Sequence, residues 1–117
     1  MFQIDLSDHV SYEAFIREAV LDETAFKLKF RYNTSKDFWT IEIQDSSSKS
    51  IRIYKCICNF DIMMRDTHTA LPKGRLFFYT DDKEKSVAQK EDFKTKAVIL
   101  VYIPQNEWNQ RSAKPIY

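Results

Sequence analysis

From Thr24 to Asn33, the apolar residues Phe26, Leu28, Phe30 and Tyr32 alternate with Lys27, Lys29 and Arg31. A two-residue period with rings on one side and cations on the other predicts a strand with one buried and one wetted face. Asn33 to Asp37 then supplies turn chemistry, because Asn, Ser and Asp side chains can satisfy the backbone groups of a turn. The return strand runs from Phe38 to Asp45, with Trp39, Ile41 and Ile43 on one face and Thr40, Glu42 and Gln44 on the other. In this register Glu42 is expected to face the cationic row across the pair. After a loop at Ser46 to Lys49, the stretch Ser50 to Cys58 predicts a third strand carrying Ile51, Ile53 and Ile57 on one face. Together these make a three-stranded meander.

The remaining elements are shorter. Asn59 to Gly74 breaks the pattern and ends in Leu71-Pro72-Lys73-Gly74, where Pro72 and Gly74 read as the residues of a tight turn that Gly74→Val should disturb if φ is positive there. Arg75 to Thr80 resumes as an aromatic-rich strand. Asp81 to Asp92 is highly charged and reads as an exposed loop. Lys94 to Ile103 contains the continuous apolar run Ala97 to Val101, which suits a central strand covered on both faces. At the N-terminus Phe2, Ile4 and Leu6 alternate like a strand. Tyr12, Phe15, Ile16, Ala19 and Val20 follow the spacing of a helix capped at Ser11. The tail after Pro104 is polar and carries Trp108 and Pro115, which reads as an arm rather than a core element.

These elements predict an all-β fold, a small single-domain antiparallel β-sandwich or partly open barrel. The β domain covers residues 1–104 and the arm residues 105–117, since 117 residues leave no room for a second core. The expected core is Phe26, Leu28, Phe30, Tyr32, Trp39, Ile41 and Ile43. Trp108 and Tyr117 are the candidate interface residues, because an isolated Trp on a polar tail often anchors a partner.

Composition narrows the function. Hydrophobic residues make up 44% of the chain, enough apolar surface to offset ordering entropy, so a folded protein is expected. A net charge of +1 gives no field to steer toward a polyanion. No run approaches the roughly 18 apolar residues of a membrane span, and the start lacks the pattern of a signal peptide, which points to a cytosol-like compartment. The single glycine, Gly74, rules out glycine-rich phosphate loops and with them the common nucleotide folds.

Little else points to chemistry. Cys56 and Cys58 are one residue apart, too close for a paired metal motif and too strained for an unstrained disulfide, so free thiols and no metal or cofactor are expected. The two histidines, His9 and His68, sit in no nucleophile motif. Asp81-Asp82 and Glu91-Asp92 read as solvated acid pairs. The row Lys27, Lys29 and Arg31, with Arg17 and Arg52 elsewhere, motivates an alternative, an OB-like nucleic-acid-binding module, although the rings of the strand alternate away from the cations.

Four pieces recur in a recognisable order: Phe26-Lys-Leu-Lys-Phe-Arg-Tyr-Asn33, Phe38-Trp-Thr-Ile-Glu-Ile-Gln-Asp45, Leu71-Pro-Lys-Gly-Arg-Leu76 and Val98-Ile-Leu-Val-Tyr102. By their order and spacing the chain resembles the baseplate plug proteins of contractile-tailed phages over about residues 12 to 103. Two turns depart from the family pattern, with Asp22-Glu23 in place of an Asp-Gly turn and Ser46 to Lys49 in place of a glycine-bearing one. The resemblance implies a strand rather than a helix at Tyr12 to Leu21, and that reading is preferred. It also implies a non-enzymatic structural role in the virion tail baseplate, assembled in the host cytoplasm, with hub and tube-related proteins as partners. Self-association is left open, and neither membrane nor nucleic acid is an expected partner.

Overall fold

The computed structural model describes residues 1–7, 13–63, 66 and 68–107. β3 (Thr24–Asn33) and β4 (Phe38–Asp45) form a hairpin in which Lys29 lies opposite Glu42, Phe30 opposite Ile41 and Tyr32 opposite Trp39. β2 (Ala14–Leu21) and β5 (Ser50–Lys55) extend it to an antiparallel sheet in the order β2-β3-β4-β5. β1 (Phe2–Ile4), β6 (Arg75–Tyr79) and β7 (Ile99–Ile103) make a second antiparallel sheet, ordered β1-β7-β6, so β7 is its central strand. A one-turn helix, α1 (Asp92–Thr95), precedes β7. The fold is all-β, and neither sheet closes into a barrel among the described residues.

Two sequence expectations are corrected and one choice is settled. Residues 14–21 form the strand that the resemblance favoured over the helical spacing: a spacing of four is even, so Phe15 and Ala19 share the inner face of β2 while Ile16 and Val20 share the outer one. The third strand stops at Lys55, and a bulge between Ile43 and Gln44 in its pairing shifts the register. A shift of one residue exchanges the faces, so Tyr54 opposes Ile41 on the inner side and Ile53 is 63% exposed on the outer side. Finally, the last strand begins at Ile99 rather than Lys94, because Lys94 and Thr95 belong to α1.

The charged stretch Asp81 to Asp92 is not a solvated loop throughout. Its middle crosses the open end of the four-stranded sheet, where Trp39 N donates to Ala88 O at 3.0 Å and Ala88 N to Cys56 O at 3.0 Å. Ala88 is fully buried, and Asp92 is buried with its carboxylate on Lys85 Nζ at 3.0 Å and on Gln89 N at 2.6 Å.

A single cluster joins the inner faces of both sheets. Phe26, Leu28, Phe30, Trp39, Ile41 and Ile43 are buried, and Tyr32 is half-buried at the rim with its hydroxyl on Asp37. Phe93 of α1 wedges between the layers, its ring centroid 5.6 Å from Phe30, 5.5 Å from Trp39 and 5.7 Å from Phe78.

The turns are built with almost no glycine. In the two-residue turn between β2 and β3, Asp22 has φ 50° and Glu23 φ 67°, and Ser48 adopts φ 67° in the four-residue loop between β4 and β5. These left-handed positions cost L residues about 1–2 kcal/mol each. Side chains offset part of this: Asp45 Oδ1 accepts from Ser47 N at 2.9 Å and Lys49 N at 3.0 Å, and Asp22 accepts from the Tyr102 hydroxyl and from Gln105 N. Gly74, by contrast, has no positive φ. It is required for space, because a Cβ there would lie 2.1 Å from Ile103 O and 2.6 Å from Tyr102 Oη. Its N–H donates to Tyr102 Oη at 2.8 Å, which ties the Pro72 to Gly74 bend to β7.

The segment before that bend is anchored to β5. Asp66 accepts from Arg52 Nε at 2.9 Å, Tyr54 Oη at 2.6 Å and His68 N at 3.0 Å. The Tyr54 bond foremost, then the His68 amide and the Arg52 charge, hold its carboxyl below the usual range.

Three predictions follow from this architecture. Phe93→Ala should cost about 3–5 kcal/mol, because it leaves a cavity between two packed layers; urea denaturation measures it, and a loss below about 1 kcal/mol would contradict the wedge. Glu23→Gly should stabilise the protein by about 0.5–1 kcal/mol, the relief of left-handed strain less the greater unfolded freedom of glycine. Asp22→Gly should instead destabilise it, since Tyr102 and Gln105 lose their acceptor, and thermal melts compare the two. The third concerns pH. A folded-state carboxyl pKa below the unfolded value stabilises above the unfolded value of about 3.9 and loses that contribution as pH falls through the folded value. The urea midpoint of Asp66→Asn should therefore lie below that of the parent at pH 7, with the gap closing as the pH falls below the unfolded value of about 3.9.

Candidate interaction faces

The outer face of the four-stranded sheet carries the cationic row. Lys29 faces Glu42 on β4, Lys27 faces Glu18 on β2, and Lys27 Nζ reaches Ser48 Oγ at 2.8 Å. The Glu42 carboxyl is held low first by a 2.9 Å bond from Gln44 Nε2; burial opposes this, and a bond from Ser50 and the charges of Lys29 and Arg31 add to the lowering. Lys55 Nζ stands 4.4 Å from the Phe38 ring centroid, and the other rings of this hairpin point inward. The row is therefore partly neutralised and lacks a run of exposed rings on which bases could stack. Around it, Ile16, Val20 and Ile53 are 49%, 66% and 63% exposed. These three sit on one face because strand pairing puts Ile16 opposite Lys29, Val20 opposite Ala25 and Ile53 opposite Glu42.

The outer face of the three-stranded sheet is of a different kind. Leu76 and Phe78 of β6 and Leu100 and Tyr102 of β7 point into the core, leaving Phe77, Tyr79, Ile99, Val101 and Ile103 outward. Phe77 pairs with Val101 and Tyr79 with Ile99. Here Met1, Asn59, Phe77, Tyr79, Val101 and Ile103 line a groove of about 380 Å³. Its two polar side chains are already bonded, Asn59 to both backbone groups of Thr80 and the Tyr79 hydroxyl to Asp81. Strand alternation alone does not reveal this face. Its signal was the apolar run Ile99 to Ile103 beside the ring-rich Arg75 to Tyr79, which leaves hydrocarbon on both sides of a sheet in a two-layer protein.

The structure does not gather the candidate chemical residues. Cys56 and Cys58 are buried free thiols. Burial pushes both thiols up, Cys56 well above its ordinary value and Cys58 to about 11, which keeps them protonated and poorly nucleophilic. Among the described residues no group of three or more His, Cys, Asp or Glu is placed to hold a metal ion. His68 is exposed and uses Nδ1 to accept from Ala70 N at 3.1 Å, in an open cleft of about 230 Å³ with Asp66, Lys73 and Arg75. Asp61, buried beside this region, is ion-paired with Arg75 at 3.0 Å, yet burial outweighs that charge and raises its pKa. Of the acid pairs, Asp81 and Asp82 are exposed, whereas Asp92 is engaged by Lys85. His9, Trp108 and Tyr117 lie outside the described residues.

What the geometry displays is thus two outer sheet faces, one mixed and one apolar. Comparison with curated proteins gives no match. Comparison with protein families does: the family described as the cyanophage baseplate Pam3 plug gp18 matches residues 1–105. The matched stretch runs from β1 through the end of β7 and takes in both sheets, the turn at Asp22-Glu23 and the bend at Gly74. With nearly the whole chain matched, the protein belongs to the cyanophage baseplate plug family.

Proposed function

We propose that the protein is a non-enzymatic structural subunit of a contractile-tail baseplate, seated among hub and tube-related proteins of the virion. Family membership over residues 1–105 carries this reading. The described surface supports it: the exposed large apolar residues Ile16, Val20 and Ile53 share the outer face of the four-stranded sheet with a row of alternating charges. Such a surface suits a protein interface, where apolar contacts supply affinity and complementary charges fix the register. A standard contact takes about 800 Å² from each partner, and a four-stranded face of six- to ten-residue strands is large enough to provide it. Assembly would take place in the host cytoplasm.

Mass spectrometry of purified tails should detect the chain, and its absence there would refute the proposal. Val20→Asp combined with Ile53→Asp should lower incorporation into tails while leaving the melting temperature of the isolated protein nearly unchanged, because both side chains are mostly exposed.

A further inference from the structure

β2 lies at the end of the four-stranded sheet, and its pairing fixes which way each backbone group points. Tyr32 N donates to Glu13 O at 2.7 Å, which makes Glu13 and Tyr32 a hydrogen-bonded pair of the antiparallel ladder. Such pairs alternate along a ladder. Phe15, Arg17, Ala19 and Leu21 therefore turn their amides and carbonyls to β3, while Ala14, Ile16, Glu18 and Val20 turn theirs away from the sheet. Among the described residues no strand pairs with that outward row. With eight residues and with Ile16 and Val20 exposed, β2 is the kind of edge on which a further strand adds.

One side chain closes it. Arg17 is half-buried on the inner side of β2, and its guanidinium reaches round the edge, where Nη1 donates to Glu18 O at 2.6 Å and Nε to Asp5 O at 3.4 Å. Glu18 O is an acceptor in the middle of the outward row, so the guanidinium sits where an incoming amide would bond. A charged donor holds a carbonyl more strongly than the neutral amide of an added strand. The arrangement recurs on the other edge strand of the sheet, β5, where Arg52 Nη1 donates to Ile51 O at 3.0 Å. Laid antiparallel on a second β2 so that Ile16 meets Glu18, the strand would also set Arg17 opposite Arg17, and like charges directly opposite repel.

We propose that Arg17 latches the β2 edge: with its guanidinium on Glu18 O the four-stranded sheet ends at β2, and without it a second copy of the chain adds there through its own β2. The proposal concerns the edge of the sheet and holds whichever subunits meet its outer face.

Amide hydrogen exchange read by NMR, together with sedimentation velocity, tests it on the full-length protein. In the parent, Ile16, Glu18 and Val20 should exchange as exposed amides while Arg17 and Ala19 are protected by β3. Protection of the first three would overturn the proposal, because the edge would already be filled. Arg17→Met keeps a long apolar stem and removes every donor. It should sediment faster with rising concentration and gain roughly tenfold or more protection at Ile16, Glu18 and Val20, the equivalent of one charged hydrogen bond. Ile16→Pro added to Arg17→Met removes an outward amide without breaking a bond to β3, and should return the sedimentation to that of the parent. Arg17→Met that sediments like the parent, with those amides still exchanging freely, would overturn the proposal. So would association that survives Ile16→Pro.

Discussion

The two sheets meet on Phe93. Neither sheet alone buries a full core: one has three strands and the other four, and their inner faces leave a gap at the end where Trp39 lies. A single ring from a one-turn helix fills it, touching Phe30 and Trp39 on one layer and Phe78 on the other. Edge-on and tilted ring pairs at these separations add attraction beyond simple burial. The surrounding loop is arranged to deliver that ring. Lys85 and Gln89 N hold Asp92, and Ala88 is stitched to Trp39 and Cys56 by backbone bonds, so the connection from β6 to β7 is itself an interior element. Crossing between layers also explains why a stretch rich in charge is partly buried: its charges pair with one another while its few apolar residues enter the core.

A second constraint is the near absence of glycine. Among the described residues six non-glycine residues take positive φ, namely Asp22, Glu23, Asp37, Ser48, Asn59 and Lys96. Several also anchor side-chain bonds, and Asp22 is the plainest case, since the hydroxyl of Tyr102 that it accepts from also accepts from Gly74 N. One carboxylate thereby joins a hairpin turn of the four-stranded sheet, the central strand of the other sheet and the bend before β6. A glycine in its place would relax the turn and cut the link. The one glycine is spent where a side chain cannot fit at all, against Ile103 O.

The hairpin of β3 and β4 was legible because its period of two is unbroken over both strands, and its register put Glu42 opposite Lys29 as expected from charge. Strand β2 was ambiguous for a physical reason. Phe15 with Ala19 and Ile16 with Val20 are each four apart, a spacing that lies along one side of a helix and also on one face of a strand. Only pairing with β3 separates the two. The bulge beside Gln44 and the inward turn of Asp92 were not legible, since each depends on what lies across in space. At Gly74 the sequence shows a Pro-x-Gly bend and cannot show the carbonyl of Ile103 that leaves no room for a side chain.

The interaction faces were hidden by the same rule that revealed the strands. Alternation identifies a strand by assigning its apolar residues to the core, so apolar residues on the outer positions are either counted as core or dismissed as noise. In β7 the residues from Ile99 to Ile103 are all aliphatic or aromatic, and the overlapping run Ala97 to Val101 was expected to be covered on both faces. The described protein supplies only one cover, the core beneath Leu100 and Tyr102, and leaves Val101 lining an open groove. The mixed face of the other sheet obeys a different logic. Its Ile16, Val20 and Ile53 are scattered among paired charges, a surface that remains soluble alone and can still present apolar contacts at fixed positions to a neighbour. The two faces thus differ in what they offer a neighbour: the groove around Val101 offers only rings and methyls, whereas the other sheet sets its apolar contacts among charges whose positions are fixed by strand pairing.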